Sequence, residues 1–157
     1  RTVISKIATE KGINVSYVAK SGADPKKNEI NLTDVASRMR KFDRVIISAE
    51  AILKNGAVLS ETGSFLVALA ATKYNVPLVA LGRGFCLTEK VMIDQYSLLA
   101  ENPMKYFKKS ETNVLKAHIA KKFDLIEPKF IKQVITEFGI INPSNIELQF
   151  SSYYDYC

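Results

Sequence analysis

Residues 44–81, RVIISAEAILKNGAVLSETGSFLVALAATKYNVPLVAL, decide how this chain folds. Val45, Ile46 and Ile47 make a short β-branched run, the composition of a strand covered on both faces. Leu78–Leu81 is a second such run, and Pro77 marks its start. Between them, from Ser60 to about Tyr74, the residues Phe65, Leu66, Leu69, Ala70 and Lys73 recur at helical spacing in a segment rich in Ala and Leu. Ser60, Glu61, Thr62 and Ser64 supply candidate N-caps. Strand, helix and strand in that order predict a βαβ unit, with parallel strands and a right-handed crossover.

The link from first strand to helix carries the candidate site. Glu50 stands where the strand ends, Asn55-Gly56 is a strong turn pair, and Gly63 lies at the helix entry. Ligands of open α/β sheets bind at the carboxyl ends of the strands. Glu50, Asn55, Gly56, Thr62, Gly63 and Ser64 are therefore the candidate ligand-binding residues. The Asn-Gly pair and Gly63 would also serve a turn with no ligand at all.

Two patches carry a resemblance. The first is Ala49-Glu50, Asn55-Gly56, Gly63-Ser64, Ala68, Ala70-Ala71 and Asn75-Val76-Pro77. The second is Phe123-Asp124-Leu125-Ile126-Glu127-Pro128, Val134-Ile135-Thr136-Glu137-Phe138-Gly139 and Asn142-Pro143-Ser144. Together they resemble the alpha, beta and delta subunits of eukaryotic translation initiation factor 2B, most of all the beta type and then delta. Methylthioribose-1-phosphate isomerase and related sugar-phosphate isomerases share that fold. The resemblance implies a three-layer α/β/α sandwich around a mainly parallel, Rossmann-like sheet. It implies that residues 1–157 are the C-terminal domain of such a subunit, truncated at its first strand or strands. It further implies a regulatory and scaffolding role in a guanine-nucleotide exchange factor in the cytosol. The partners would be other initiation factor 2B subunits and initiation factor 2 in its GDP- or GTP-bound form, and no cofactor is expected. The alternative is a sugar-phosphate isomerase, or a domain that senses a phosphorylated sugar or nucleotide. In those isomerases an Asp stands at the position of Glu50 and works with a Cys on an earlier strand, and a Lys stands at the position of Glu61. The departures at Glu50 and Glu61 weaken the isomerase reading, since a carboxylate opposes a phosphate where a cation would hold it.

The remaining chain is read around this unit. Thr2–Lys11 predicts a helix ended by Gly12, and Ile13–Ala19 alternates as a strand does. Ser21–Asn31 reads as a loop. Thr33 begins a short helix to about Lys41, with Val35, Met39 and Phe42 inward. Gly82 and Gly84 do not match a dinucleotide fingerprint and read as a plain loop. A helical insertion over Thr88–Ala100 and a helix near Ser110–Lys122 are followed by a short extended segment from Phe123. A helical turn over Pro128–Ile131, a last strand Gln133–Thr136, a turn at Gly139 and a closing helix from Pro143 to Tyr153 complete the prediction.

Composition bounds the function. The chain has 157 residues, enough for one domain with a core, and no apolar run long enough to span a membrane. Arg1 in place of Met reads as a fragment or processed segment. The net charge of +6 comes mostly from Lys, and the stretch Lys105–Lys122 reads as a solvated face in preference to an RNA surface. Cys86 and Cys157 give no metal pattern or disulfide framework, which suits a reducing compartment. The single His118 allows no triad. Phe150, Tyr153, Tyr154 and Tyr156 crowd the C-terminus and are the candidate contacts of a homo- or heterodimer, because aromatic side chains are enriched where subunits meet.

Overall fold

Three strands of consecutive apolar residues pair in parallel at the centre of the molecule. The computed structural model describes residues 7–8, 10–19, 22–91 and 123–148. Within them the strands are β1 (Tyr17–Ala19), β2 (Glu29–Asn31), β3 (Val45–Ser48), β4 (Ala51–Leu53), β5 (Val58–Glu61), β6 (Leu78–Leu81), β7 (Leu87–Thr88), β8 (Phe123–Ile126), β9 (Gln133–Thr136) and β10 (Gly139–Ile141). The helices are α1 (Val35–Arg38), flanked by tight single turns, and α2 (Ser64–Lys73). The main sheet has the order β10-β9-β6-β3. Val45 lies opposite Leu78 and Ser48 opposite Leu81, and β9 extends the parallel pairing from β6. This is the mixed α/β fold with parallel strands that the βαβ pattern predicts.

The stretch between β3 and α2 is not a loop. It is a hairpin belonging to a second four-stranded sheet of order β7-β4-β5-β8. Ile52 faces Val58 across the hairpin, and the turn closes through Leu53 N–H donating to Ala57 O and Gly56 N–H donating to Leu53 O. The sequence disguised β5 because Ser60 looks like a helix cap. In fact Ser60 is buried and its hydroxyl shares a 2.9 Å hydrogen bond with that of Ser64. The residue before the helix is Gly63, at φ 101°, and α2 starts at Ser64, so neither Ser60 nor Glu61 caps it.

Other expectations shift for local reasons. The strand read over Ile13–Ala19 is reduced to β1, and the supposed loop before Asn31 contains β2, which pairs in parallel with β1. Thr33 does not cap the next helix. It lies in a tight turn, and its hydroxyl reaches only Asp34 Oδ1 at 3.5 Å. Val35 and Met39 are buried as predicted. Gln133–Thr136 is not the last strand, because the chain reverses at Phe138 and Gly139 starts β10, antiparallel to β9. Pro143–Asn145 is a tight turn leading to helical residues from Ile146, which is fully buried. The predicted helices at Thr88–Ala100 and Ser110–Lys122 fall largely outside the described residues, as do Phe150 and Tyr153.

One apolar cluster joins the two sheets. Ile47, Leu78, Ala80 and Val134 of the main sheet meet Ile52, Val58 and Ile126 of the second, with Ala68 of α2 among them. A second cluster sets Val67 and Ala71 of α2 against Ile30, Val35 and Met39. The helix therefore buries small residues on two sides, which lets backbones approach closely. The large periodic residues Leu66 and Leu69 point outward, 59 % and 42 % exposed. The helix ends where Val76 N–H donates to Ala71 O at 2.8 Å and Asn75 takes the left-handed conformation at φ 56°.

Gly56 is the most constrained point of the hairpin. Its φ is 85°, and a Cβ there would run into the Pro143 carbonyl. Gly56→Ala should lower stability by about 2 kcal/mol through backbone strain and that collision. Urea denaturation with an unchanged midpoint would refute the assignment.

Candidate functional site

The predicted site residues separate into three places. Glu50 lines a cleft of about 770 Å³ at the carboxyl end of the main sheet. Thr62, Gly63 and Ser64 lie at one end of a different groove, of about 590 Å³, which runs along β3. Asn55 and Gly56 line neither. Asn55 is held in the hairpin turn, its Oδ1 accepting from Ala57 N–H at 3.0 Å and its Nδ2 donating to Val91 O at 2.9 Å. These two residues serve the turn, because the hairpin carries them away from the strand ends. Phe150, Tyr153, Tyr154 and Tyr156 lie outside the described residues.

The carboxyl-end cleft is built by three strands ending side by side. Ala49 and Glu50 follow β3, Gly82 and Arg83 follow β6, and Thr136 and Glu137 line it at the end of β9. Glu50 is anchored by its backbone N–H, which donates to Leu59 O at 2.8 Å, so the hairpin fixes where the carboxylate leaves the chain. Glu137 Oε2 accepts from Gly84 N–H at 2.7 Å and thereby closes the loop after β6. Gly84 fits beneath Phe138, and a Cβ there would strike that ring. The Arg83 guanidinium stacks 5.6 Å from the Phe85 ring centre. Cys86 is a half-buried free thiol on the same wall. Two carboxylates, one guanidinium, a hydroxyl and a thiol thus meet in one cleft. Among the described residues no group of three His, Cys, Asp or Glu side chains could hold a metal ion.

Sequence reasoning placed Glu50 at the strand end, where it lines this cleft, and did not name its neighbours Arg83, Cys86, Thr136 and Glu137. The signal was available: the strand-end rule that selected Glu50 applies equally to the residues after Leu81 and around Thr136.

The start of α2 is already occupied. Asp124 sits opposite Ser60 in the β5–β8 register and is 8 % exposed. Its Oδ2 accepts from Gly63 N–H at 2.8 Å and from Phe65 N–H at 3.2 Å. A helix start attracts anions through its unpaired N–H groups and its dipole. Here the chain supplies that anion itself, from a residue some sixty positions away. A phosphate arriving at Gly63 would meet a carboxylate, with Glu61 a short way along the chain.

The family model described as the Initiation factor 2 subunit family matches residues 28–143. The chain is 30% identical over 129 residues to translation initiation factor eIF2B subunit beta of Dictyostelium discoideum, covering 79% of this chain and 33% of that protein. It is 29% identical over 120 residues to ribose 1,5-bisphosphate isomerase of Pyrococcus furiosus, covering 73% of this chain and 37% of that protein. It thus spans about a third of the length of these curated relatives. Among solved structures, the tetrameric eIF2B-beta2-delta2 complex from C. thermophilum superposes with a TM-score of 0.64 at 18% identity, over 97% of this chain and 40% of that one. The eIF-2B delta subunit from A. fulgidus gives a TM-score of 0.64 at 20% identity, over 91% of this chain and 48% of that one.

Asp124→Ala should cost about 2–3 kcal/mol, because two backbone donors at the start of α2 lose a buried charged acceptor. Asp124→Asn keeps an acceptor oxygen and should cost about half as much. Equal midpoints for wild type and Asp124→Ala in urea would contradict this account.

Proposed function

The chain belongs to the initiation factor 2 subunit family, and from that premise we propose that it is the C-terminal domain of an eIF2B-type regulatory subunit, of beta type before delta type. Its role is to scaffold and regulate the cytosolic exchange factor that acts on initiation factor 2. GDP/GTP exchange is then carried by another subunit, and this domain contributes contacts instead of chemistry. The observation that carries the reading is the filled start of α2, where Asp124 takes the Gly63 and Phe65 N–H groups. A domain that must grip a sugar phosphate there would need cations, and this one presents carboxylates. Pairing of related subunits supports the assembly role, since beta and delta subunits occur together in the C. thermophilum complex.

The partner surface in this reading is the C-terminal tail, with Phe150 completing the domain's own core and Tyr153, Tyr154 and Tyr156 meeting a second subunit. Tyrosine suits that position because the ring buries area while the hydroxyl still finds a partner.

A second reading, a sugar-phosphate isomerase, is favoured by the cleft beside Glu50. There an acid, a thiol and a guanidinium share one wall, and relatives named as isomerases match about as well as those named as initiation factor subunits. Two measurements separate the readings. Sedimentation of the chain with eIF2B beta and delta subunits of its own source should give a complex, and Tyr153→Ser/Tyr154→Ser should weaken it at least tenfold, about 1.4 kcal/mol. Turnover of ribose 1,5-bisphosphate and of methylthioribose-1-phosphate should stay at the blank. Product above the blank, with no association at high concentration, would replace the scaffold reading by the isomerase one.

A further inference from the structure

The tip of the β4–β5 hairpin fastens separate parts of the chain. Lys54 N–H donates to Lys90 O at 3.2 Å, and Asn55 Nδ2 donates to Val91 O at 2.9 Å, so the polypeptide leaving β7 is bound to the tip. Asn55 Oδ1 accepts from Ala57 N–H at 3.0 Å and closes the turn on itself. On the other side, Gly56 lies against the Pro143 carbonyl, and Lys54 Nζ meets Glu147 Oε1 at 3.2 Å. One amide side chain thus sits at the centre of the junction. Its nitrogen holds the exit from β7, and its oxygen holds the turn.

The same amide is chemically the most labile in the sequence. Nine asparagines occur, and only Asn55 is followed by glycine. The others precede Val, Glu, Leu, Ile or Pro, whose side chains or ring hinder the backbone nitrogen. Loss of ammonia from asparagine needs that nitrogen to reach Cγ. The bond from Gly56 N to Asn55 Cγ forms, the Cγ–Nδ2 bond breaks, and the Gly56 proton departs with Nδ2 as ammonia. One water then opens the cyclic imide. Opening at Cγ leaves aspartate. Opening at the main-chain carbonyl of residue 55 leaves isoaspartate, with the backbone routed through the side chain. Water is the one reactant the chain does not supply.

In the folded hairpin both reacting groups are engaged. Gly56 N–H donates to Leu53 O at 2.9 Å, and Asn55 Cγ is held by hydrogen bonds to its own oxygen and nitrogen. Ring closure must break these contacts, so it waits on local opening of the tip. We propose that Asn55 is a deamidation site whose rate is set by opening of the hairpin, and that its conversion to aspartate unties the polypeptide after β7 while both sheets stay in place. A carboxylate at position 55 still accepts from Ala57 N–H. It has no proton for Val91 O and sets a negative charge against that carbonyl. Isoaspartate acts more severely, because it lengthens the main chain beside Gly56, where an added carbon meets the Pro143 carbonyl. The proposal goes beyond both functional readings and rests on neither.

Peptide mapping by mass spectrometry tests the first half on the 157-residue chain, kept in neutral buffer with and without urea. In urea Asn55 should convert faster than any other asparagine. Without urea its conversion should be at least about tenfold slower, and it should rise with mild urea in step with exchange of the Gly56 amide. Equal rates in folded and unfolded protein, or another asparagine converting first in urea, overturn the proposal. Amide hydrogen exchange in Asn55→Asp tests the second half. The Lys54 amide, bonded to Lys90 O, should exchange at least about tenfold faster than in wild type. Ala57 should stay protected, and Val45 and Ala49, bonded to Pro77 O and Leu81 O, report that the main sheet is intact. An unchanged Lys54 amide overturns the untying. Loss of protection at Ala57, Val45 or Ala49 overturns its confinement to the exit from β7.

Discussion

A single buried carboxylate holds the two halves of this molecule in relation to each other. Asp124 belongs to β8, at one edge of the second sheet, and its Oδ2 receives N–H groups from Gly63 and Phe65 at the start of α2. The helix in turn supplies Ala68 to the cluster between the sheets and Val67 and Ala71 to the cluster under α1. If the β5–β8 register slipped by one residue, Asp124 would turn to the opposite face and the helix start would lose its acceptor. The charge thus fixes strand register, helix position and both cores at once. A buried charge is tolerable here because the helix start offers donors and a favourable dipole.

The same contact bears on function. In an α/β domain the helix start nearest the strand ends is the natural anion seat. With that seat filled by the chain itself, the carboxyl-end cleft is where Glu50 stands, and it sets Glu50 and Glu137 beside one guanidinium, Arg83. Glu137 is committed to the Gly84 N–H. Among its described lining residues that cleft carries two carboxylates and one guanidinium, a balance that disfavours a doubly charged phosphate.

Much of the architecture was legible because the strands at the heart of both sheets carry apolar runs or alternations. Val45–Ile47, Leu78–Leu81 and Gln133–Thr136 of the main sheet and Phe123–Ile126 of the second all appear where such patterns occur, and Pro77 marks the entry to β6. The hairpin was not legible. β5 reads Val-Leu-Ser-Glu, and its inward residues are Val58 and Ser60, one of them polar. A serine bonded to another serine satisfies itself in the core, but in sequence it looks like a cap. The site suffered the same error: Asn55-Gly56 was assigned to a crevice because the strands on either side of it were taken for loop. Asp124 was part of a recognised patch, yet its partners at Gly63 and Phe65 are too distant in sequence for local pattern to join them.

The second sheet also determines where the chain tolerates growth. β7 and β8 are its two outer strands, with the β4–β5 hairpin between them. Lys54 N–H donates to Lys90 O, and the Asn55 side chain holds Val91 O, so the chain leaves β7 firmly tied to the hairpin. It returns at Phe123, three strand spacings away, about 14 Å. The exit from β7 and the entry to β8 are thus held at a set spacing by the hairpin between them, so lengthening the polypeptide that joins these two points does not by itself require either strand to move.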